Sequence, residues 1–115
     1  EGVGKGRIDL NRFVALTATD PAKMYGLYPQ KGTIAIGGDA DIAIWDPHKE
    51  VVIANDKLHH NVDYTPYEGV AVTGWPVVTL SRGEVVYDGK EPQGAAGRGE
   101  FLKCGLPDPA RPRKR

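Results

Sequence analysis

Catalysis or metal binding in this 115-residue chain would have to be built from three histidines, one cysteine and fifteen acidic residues. The tightest cluster is His59-His60-Asn61-Val62-Asp63. Imidazole and carboxylate are good zinc ligands. Adjacent side chains on an extended segment point to opposite sides. Only one of the two histidines would therefore face Asp63, and further ligands would have to come from elsewhere. The spacing favours loop hydrogen bonding over a metal site. Asp39 and Asp41 flank Ala40 and could be paired carboxylates for acid–base work. Directly after Gly37-Gly38, however, they read as turn formers and backbone caps. Asp46, before Pro47, reads the same way. Cys104 has no histidine near it in the sequence to activate it, and reads as an inert thiol. No catalytic residue and no metal ligand is assigned.

Three weaker patterns have plain readings. Gly2, Gly4 and Gly6 resemble a phosphate loop but lack the Gly-Lys-Ser/Thr ending and a preceding strand, so they read as a connector. Trp45, Trp75, Tyr64, Tyr67 and Tyr87 could stack on bases, but that needs a basic groove, and aspartates lie beside Trp45 and Tyr64. Packing in a core or an interface is the better account. The terminal Arg111-Pro112-Arg113-Lys114-Arg115 could meet an acidic partner or simply be a solvated end.

The elements that must position these groups are short. Length allows one domain. Net charge is zero, so no bulk attraction to nucleic acid or membrane follows. No apolar run approaches the roughly 20 residues of a membrane span. One cysteine excludes an internal disulfide and fits a reducing compartment, the cytoplasm. Fifteen glycines and nine prolines indicate many turns. The chain opens at Glu1 and its one methionine is Met24, which points to a piece of a longer protein.

Asp9 can cap a helix, and Leu10, Phe13, Val14, Thr17 and Ala18 form a helical apolar stripe with no obvious partner. Asp20-Pro21 should restart the chain as a second short helix, with residue 19 or 20 leaving helical angles and Gly26 ending it. The centre of the chain is 32–47, where apolar runs 33–36 and 42–45 bracket Gly37-Gly38-Asp39-Ala40-Asp41. Both runs read as strands. Pro47 should stop the second, and both its faces should be covered. Short strands follow at 51–53 and 70–72, separated by a long irregular loop over 54–69. Residues 76–80 and 85–87 read as a hairpin around Arg82-Gly83. Beyond Glu91, glycine and proline leave no periodic core face. The strands are too few to close a sandwich or barrel, so open edges would need more chain.

Several motifs carry a resemblance. Asp20-Pro21-Ala22-Lys23, Gly26-Leu27-Tyr28-Pro29-Gln30-Lys31-Gly32 and the Gly-Gly-Asp-Ala-Asp turn resemble the C-terminal part of the dihydropyrimidinase/hydantoinase family of cyclic amidohydrolases. Asp63-Tyr64-Thr65-Pro66-Tyr67-Glu68-Gly69, Arg82-Gly83-Glu84-Val85-Val86 and Gly97-Arg98-Gly99-Glu100-Phe101 resemble the same family. The Lys-Gly…Asp-Ala-Asp element is shared across many amidohydrolases. The Asp-Tyr-x-Pro-Tyr-Glu-Gly run narrows it to the dihydropyrimidinase-like branch.

The resemblance implies an α+β fragment of a much longer enzyme. Residues 1–30 would be the last helices of a TIM-like hydrolase barrel. Residues 31–92 would be the C-terminal strands of a β-sandwich, and 93–115 an extended, basic, intersubunit tail. It implies hydrolysis of the ring amide of dihydropyrimidines or hydantoins to N-carbamoyl amino acids, in pyrimidine degradation. Two zinc ions in the full-length enzyme would activate a bridging water. The family's His-x-His pair, bridging lysine and catalytic aspartate have no counterpart here, so the isolated chain is expected to be inert. Expected partners are the missing N-terminal barrel chain, a cyclic ureide substrate and further copies in a homo-oligomer, dimer or tetramer. Phe101, Leu102 and Tyr67 are the expected interface residues. Two alternatives stay open: a non-catalytic scaffold of the same family, and a stand-alone β-rich interaction module.

Overall fold

The computed structural model describes residues 2–107. It contains one bent helical run and a three-stranded antiparallel sheet. The basic terminal run at 111–115 lies outside the described residues.

The helical run begins where Asp9 caps it, accepting the Arg12 N–H at 2.7 Å. It passes through α1 (Leu10–Val14), a π-helical turn (Ala15–Thr19) and α2 (Asp20–Met24). The expected restart at Asp20-Pro21 does not occur: Thr19 and Asp20 keep right-handed helical angles. Pro21 has no N–H to donate and would crowd the carbonyl four residues back in a regular α-helix. The π turn relieves this, because it widens the ladder so that the Asp20 N–H reaches back to Ala15. Gly26 ends the run as expected. At φ 69° it turns the chain so that the Leu27 N–H meets the Ala22 carbonyl at 2.8 Å, with the Gly26 N–H on the Lys23 carbonyl at 3.3 Å. That is a Schellman termination.

Residues 33–36 are not a strand. They form an open connection, with Ile34 and Ile36 fully exposed. β1 (Ile42–Val52), β2 (Ala71–Ser81) and β3 (Glu84–Tyr87) follow, in sheet order β1-β2-β3. Pro47 does not stop β1. It lies where the register slips between Asp46, opposite Trp75, and Glu50, opposite Thr73. Proline is tolerated there because the bulge requires no ladder bond from it. The Asp46 carboxylate supports the bend by accepting the His48 N–H at 2.9 Å. The runs at 42–45 and 51–53 are thereby one strand, as are those at 70–72 and 76–80. A second bulge carries Pro76 in β2: Ile44 faces Val78, Trp45 faces Pro76, and Val77 is the extra residue.

The β2–β3 hairpin turns at Arg82 (φ 51°) and Gly83 (φ 82°), so both central residues are left-handed, as a type I′ turn needs. The loop over 54–69 is irregular apart from one 3-10 turn (Asn55–Lys57), and its base is closed. Ile53 donates its N–H to the Val70 carbonyl at 3.0 Å, Gly69 donates to the Ile53 carbonyl at 2.8 Å, and Glu68 accepts the Asn55 N–H at 2.8 Å.

A core is nearly absent. Among the described residues Ala22, 6% exposed, is the one buried hydrophobic side chain. The accessible surface is 9257 Å². A compact monomer of this mass would show about 6,100 Å². Phe13 meets Trp45 edge to face, with ring centroids 5.7 Å apart, which joins the helix to the sheet. Around that contact Leu10, Val14, Leu16, Ile44 and Trp45 remain exposed, from 45% to 68%. The expectation that both faces of β1 are covered is not met among the described residues.

Candidate functional site

The densest arrangement of charged groups is an ionic clasp joining three segments distant in sequence. Its centre is Lys31, whose ammonium lies 2.8 Å from Asp39 and also hydrogen-bonds Asp41. The connection that carries these groups is tied down from both sides. Asp39 donates its N–H to the Gln30 carbonyl at 2.9 Å, and the Thr19 hydroxyl donates to the Gly32 carbonyl at 2.7 Å. Gly32 lies directly on the helix. A Cβ there would be 2.5 Å from the Ala22 Cβ and 2.7 Å from the Ala18 carbonyl oxygen, and its φ is 80°. Lys31-Gly32 is thus two requirements side by side: a cation for the aspartates, and the absence of a side chain against the helix.

Asp41 reaches across to the hairpin, where its second oxygen accepts the Arg82 N–H at 2.8 Å. The Gly83 N–H donates to the Ala40 carbonyl at 3.0 Å. The Asp-Ala-Asp turn therefore caps the backbone of a hairpin forty residues away. Beyond the turn, the Arg82 guanidinium lies 2.8 Å from Glu100 and hydrogen-bonds the Arg98 carbonyl. The Arg98 guanidinium lies 3.0 Å from Glu84 and donates to the Ser81 carbonyl at 2.7 Å.

The electrostatics follow from these contacts. The hydrogen bond to Asp39, and then that to Asp41, raise the Lys31 pKa above its ordinary value. Burial works to raise the Asp41 pKa, but the Lys31 ammonium and the Arg82 N–H outweigh it, and the carboxyl is held below its ordinary value. Both carboxylates are committed to the Lys31 cation, Asp41 also to the Arg82 backbone N–H and Asp39 to the Gln30 side-chain amide at 3.3 Å. They have no free geometry for general acid–base work.

The other sequence candidates are dispersed. His59, His60 and Asp63 are all exposed, and His59 leans edge-on against the Tyr87 ring at 5.6 Å. Among the described residues no three histidine, cysteine, aspartate or glutamate side chains gather into a metal-sized cluster. Cys104 is exposed and unpaired by any disulfide. Phe101 is 93% and Tyr67 62% exposed, while Leu102 is half-buried. No helix among the described residues is long and apolar enough to cross a membrane. Sequence reasoning missed the side chains of Arg82 and Arg98. Their signal was an arginine in a turn position that favours glycine or asparagine, and a lone arginine between two glycines.

The fold is shared with known proteins. The amidohydrolase family profile matches residues 2–86, and the chain belongs to that family. Within it, the chain is 50% identical over 103 residues to a D-hydantoinase of Ralstonia pickettii and 52% identical to that of Geobacillus stearothermophilus. It is 47% identical over 102 residues to the dihydropyrimidinase of Rattus norvegicus. In the first two cases 90% of this chain is covered but 22% of the relative, and in the third 89% and 20%. The chain spans about a fifth of the length of these curated relatives. Among solved structures, the dihydropyrimidinase of Brevibacillus agri NCHU1002 superposes with a TM-score of 0.89 at 48% identity, over 96% of this chain and 24% of that one. A D-hydantoinase crystal structure superposes with a TM-score of 0.87 at 50% identity, over 90% and 23%. The three-stranded sheet and its helix are thus a part of the hydantoinase architecture.

Proposed function

We propose that the protein to which this chain belongs is a metal-dependent cyclic amidohydrolase. It opens the ring amide of dihydropyrimidines or hydantoins to N-carbamoyl amino acids. The observation that carries this is near-50% identity, over nine-tenths of the chain, to D-hydantoinases and a dihydropyrimidinase. In this reading the chain is a structural share of the enzyme. Residues 1–30 complete the barrel, 31–92 complete the sandwich, and 93–115 reach a neighbouring subunit of a dimer or tetramer in the cytoplasm. The bare apolar stripe of Leu10 and Val14 supports the first assignment, since such a stripe needs something to cover it.

The two zinc ions that the family resemblance implies do not fit the donors of this chain. His59 and His60 are exposed, and Asp39 and Asp41 are taken by Lys31 and the hairpin. The ions are proposed for the remainder of the protein. What this chain's residues do is hold shape: Lys31, Asp39, Asp41 and Arg82 lock the segment after the helix onto the hairpin. Phe101, Leu102 and Tyr67 are proposed as intersubunit contacts, Phe101 and Tyr67 being open to solvent and Leu102 half-buried.

The test is made on the native source protein. Its intact mass under denaturing conditions is measured together with dihydrouracil and hydantoin hydrolysis, with and without chelator. A polypeptide several times longer, active and silenced by chelator, is the expected result. A long polypeptide with no hydrolysis would favour the non-catalytic scaffold. A native product of this length would bring the stand-alone module forward. Native mass of the same protein before and after removal of residues 97–115 tests the interface, and an unchanged oligomeric state would remove it.

A further inference from the structure

The segment after β3 is held along its course, and the way it is held singles it out. It leaves the hairpin with Tyr87 bridged to Pro92 and the Gln93 N–H on the Val86 carbonyl at 2.8 Å. At Arg98 two guanidinium groups cross. Arg98 donates to the Ser81 carbonyl at 2.7 Å, and Arg82 hydrogen-bonds the Arg98 carbonyl. Seven residues later the chain has reached the end of the helical run, where the Gly105 N–H donates to the Gly26 carbonyl at 2.8 Å. The approach is close enough that a Cβ on Gly26 would lie 2.2 Å from the Gly105 carbonyl oxygen. Gly26 is therefore required twice, once for φ 69° and once for Gly105.

We propose that residues 98–105 are a strap joining the hairpin to the end of the helical run and opening as a unit while the sheet stays intact. One end is fastened by the Arg82 and Arg98 guanidinium groups, the other by the Gly26–Gly105 backbone pair. The burial pattern supports two point anchors. The Arg82 and Arg98 side chains are 29% and 20% exposed, whereas their carboxylate partners Glu100 and Glu84 are 75% and 74% exposed. Ion pairs open to water hold weakly. The holding contacts at that end are the part-buried guanidinium-to-carbonyl bonds. Between the anchors Phe101 is 93% exposed, and Lys103 and Cys104 are exposed. The strap limits how far helix and sheet can separate, and it does so whether or not the protein hydrolyses a cyclic amide.

Amide hydrogen exchange on the whole protein tests this with Arg82→Asn. Asparagine accepts the left-handed turn position, so the hairpin and the backbone N–H to Asp41 are kept while the guanidinium is lost. Exchange of the Gly105 amide should rise about tenfold or more, while that of Gly83, which donates to Ala40 within the hairpin clasp, stays within about twofold. An unchanged Gly105 rate overturns the proposal. So does equal acceleration of Gly83 and Gly105, which would make the tail part of the sheet's own cooperative unit. A second pair of variants works from the other end. Gly26→Ala and Gly37→Ala both place alanine at positive φ, but Gly37 has open space around it. The strap requires faster tryptic cleavage after Arg98, whose guanidinium must leave the Ser81 carbonyl to be cut, in Gly26→Ala alone, and equal rates in the two variants would overturn it.

Discussion

Two regions of this molecule solve their chemistry in opposite ways. In the clasp around Lys31, Asp39, Asp41 and Arg82, every principal charge meets its partner within the chain. Along Leu10, Val14, Leu16, Ile44 and Trp45, apolar surface is left open with Phe13 against Trp45 as the one aromatic contact. Hydrogen bonds and ion pairs are short-ranged and directional, so a few residues can satisfy one another locally. Burial of apolar area needs bulk on both sides, and a three-stranded sheet with a single helical run does not supply it. The clasp is complete in this chain. The apolar face is left uncovered by the described residues.

That contrast can be broken most forcefully at Val14, which is 53% exposed here. In the whole protein Val14→Asp should place a charge in the covered interface and destabilise by upward of about 3 kcal/mol in a denaturant titration. In the isolated chain the same change should shift the circular dichroism little, as surface substitutions stay within about 0.5 kcal/mol. Equal small effects in both would mean that the face is solvent-exposed in the enzyme as well.

A smaller effect is expected at the seam between the regions. Gly32→Ala combines positive φ with a clash against the Ala18 carbonyl oxygen and the Ala22 Cβ. It should cost about 2–4 kcal/mol in the whole protein, read as a fall in the denaturation midpoint. A loss below about 1 kcal/mol would show that the connection can lift from the helix at little cost.

The clasp itself should yield the smallest change, about 1 kcal/mol for Lys31→Met, because its groups are partly in water. Its pH dependence has a defined sign. The Asp41 pKa is lowered on folding, so its contribution is present above the ordinary carboxyl value of 3.8 and is lost as pH falls below it. The Lys31 pKa is raised, so its contribution is present below the ordinary value of 10.5 and is lost as pH rises through the folded one. The difference in stability between wild type and Lys31→Met should therefore be flat between these limits and shrink outside them. A difference that grew on acidification would contradict the clasp.

Much of the local structure was legible in the residues. Asp9 as a cap, Gly26 as a terminator, the Arg82-Gly83 hairpin turn and the irregular loop over 54–69 all appear as their residue types require. The misreadings cluster at prolines. Pro21 and Pro47 each promise an end, yet a π turn carries the helix past one and a register slip carries β1 past the other. Both devices are set by the neighbouring chain and not by the proline. The run at 33–36 failed for a related reason: isoleucines favour a strand, but no partner strand lies beside it among the described residues.

The sequence by itself determined the family and the turn chemistry, because identity and positive-φ glycines are properties of single residues and short windows. The tertiary structure alone decided what the motifs are for. Lys31-Gly32 serves a salt bridge and a close approach to Ala22, Asp41 caps a hairpin forty residues away, and Arg98 fastens the tail. Such roles depend on contacts between segments far apart in sequence. No local pattern encodes the distance at which a lysine will find its aspartates or an arginine its carbonyl.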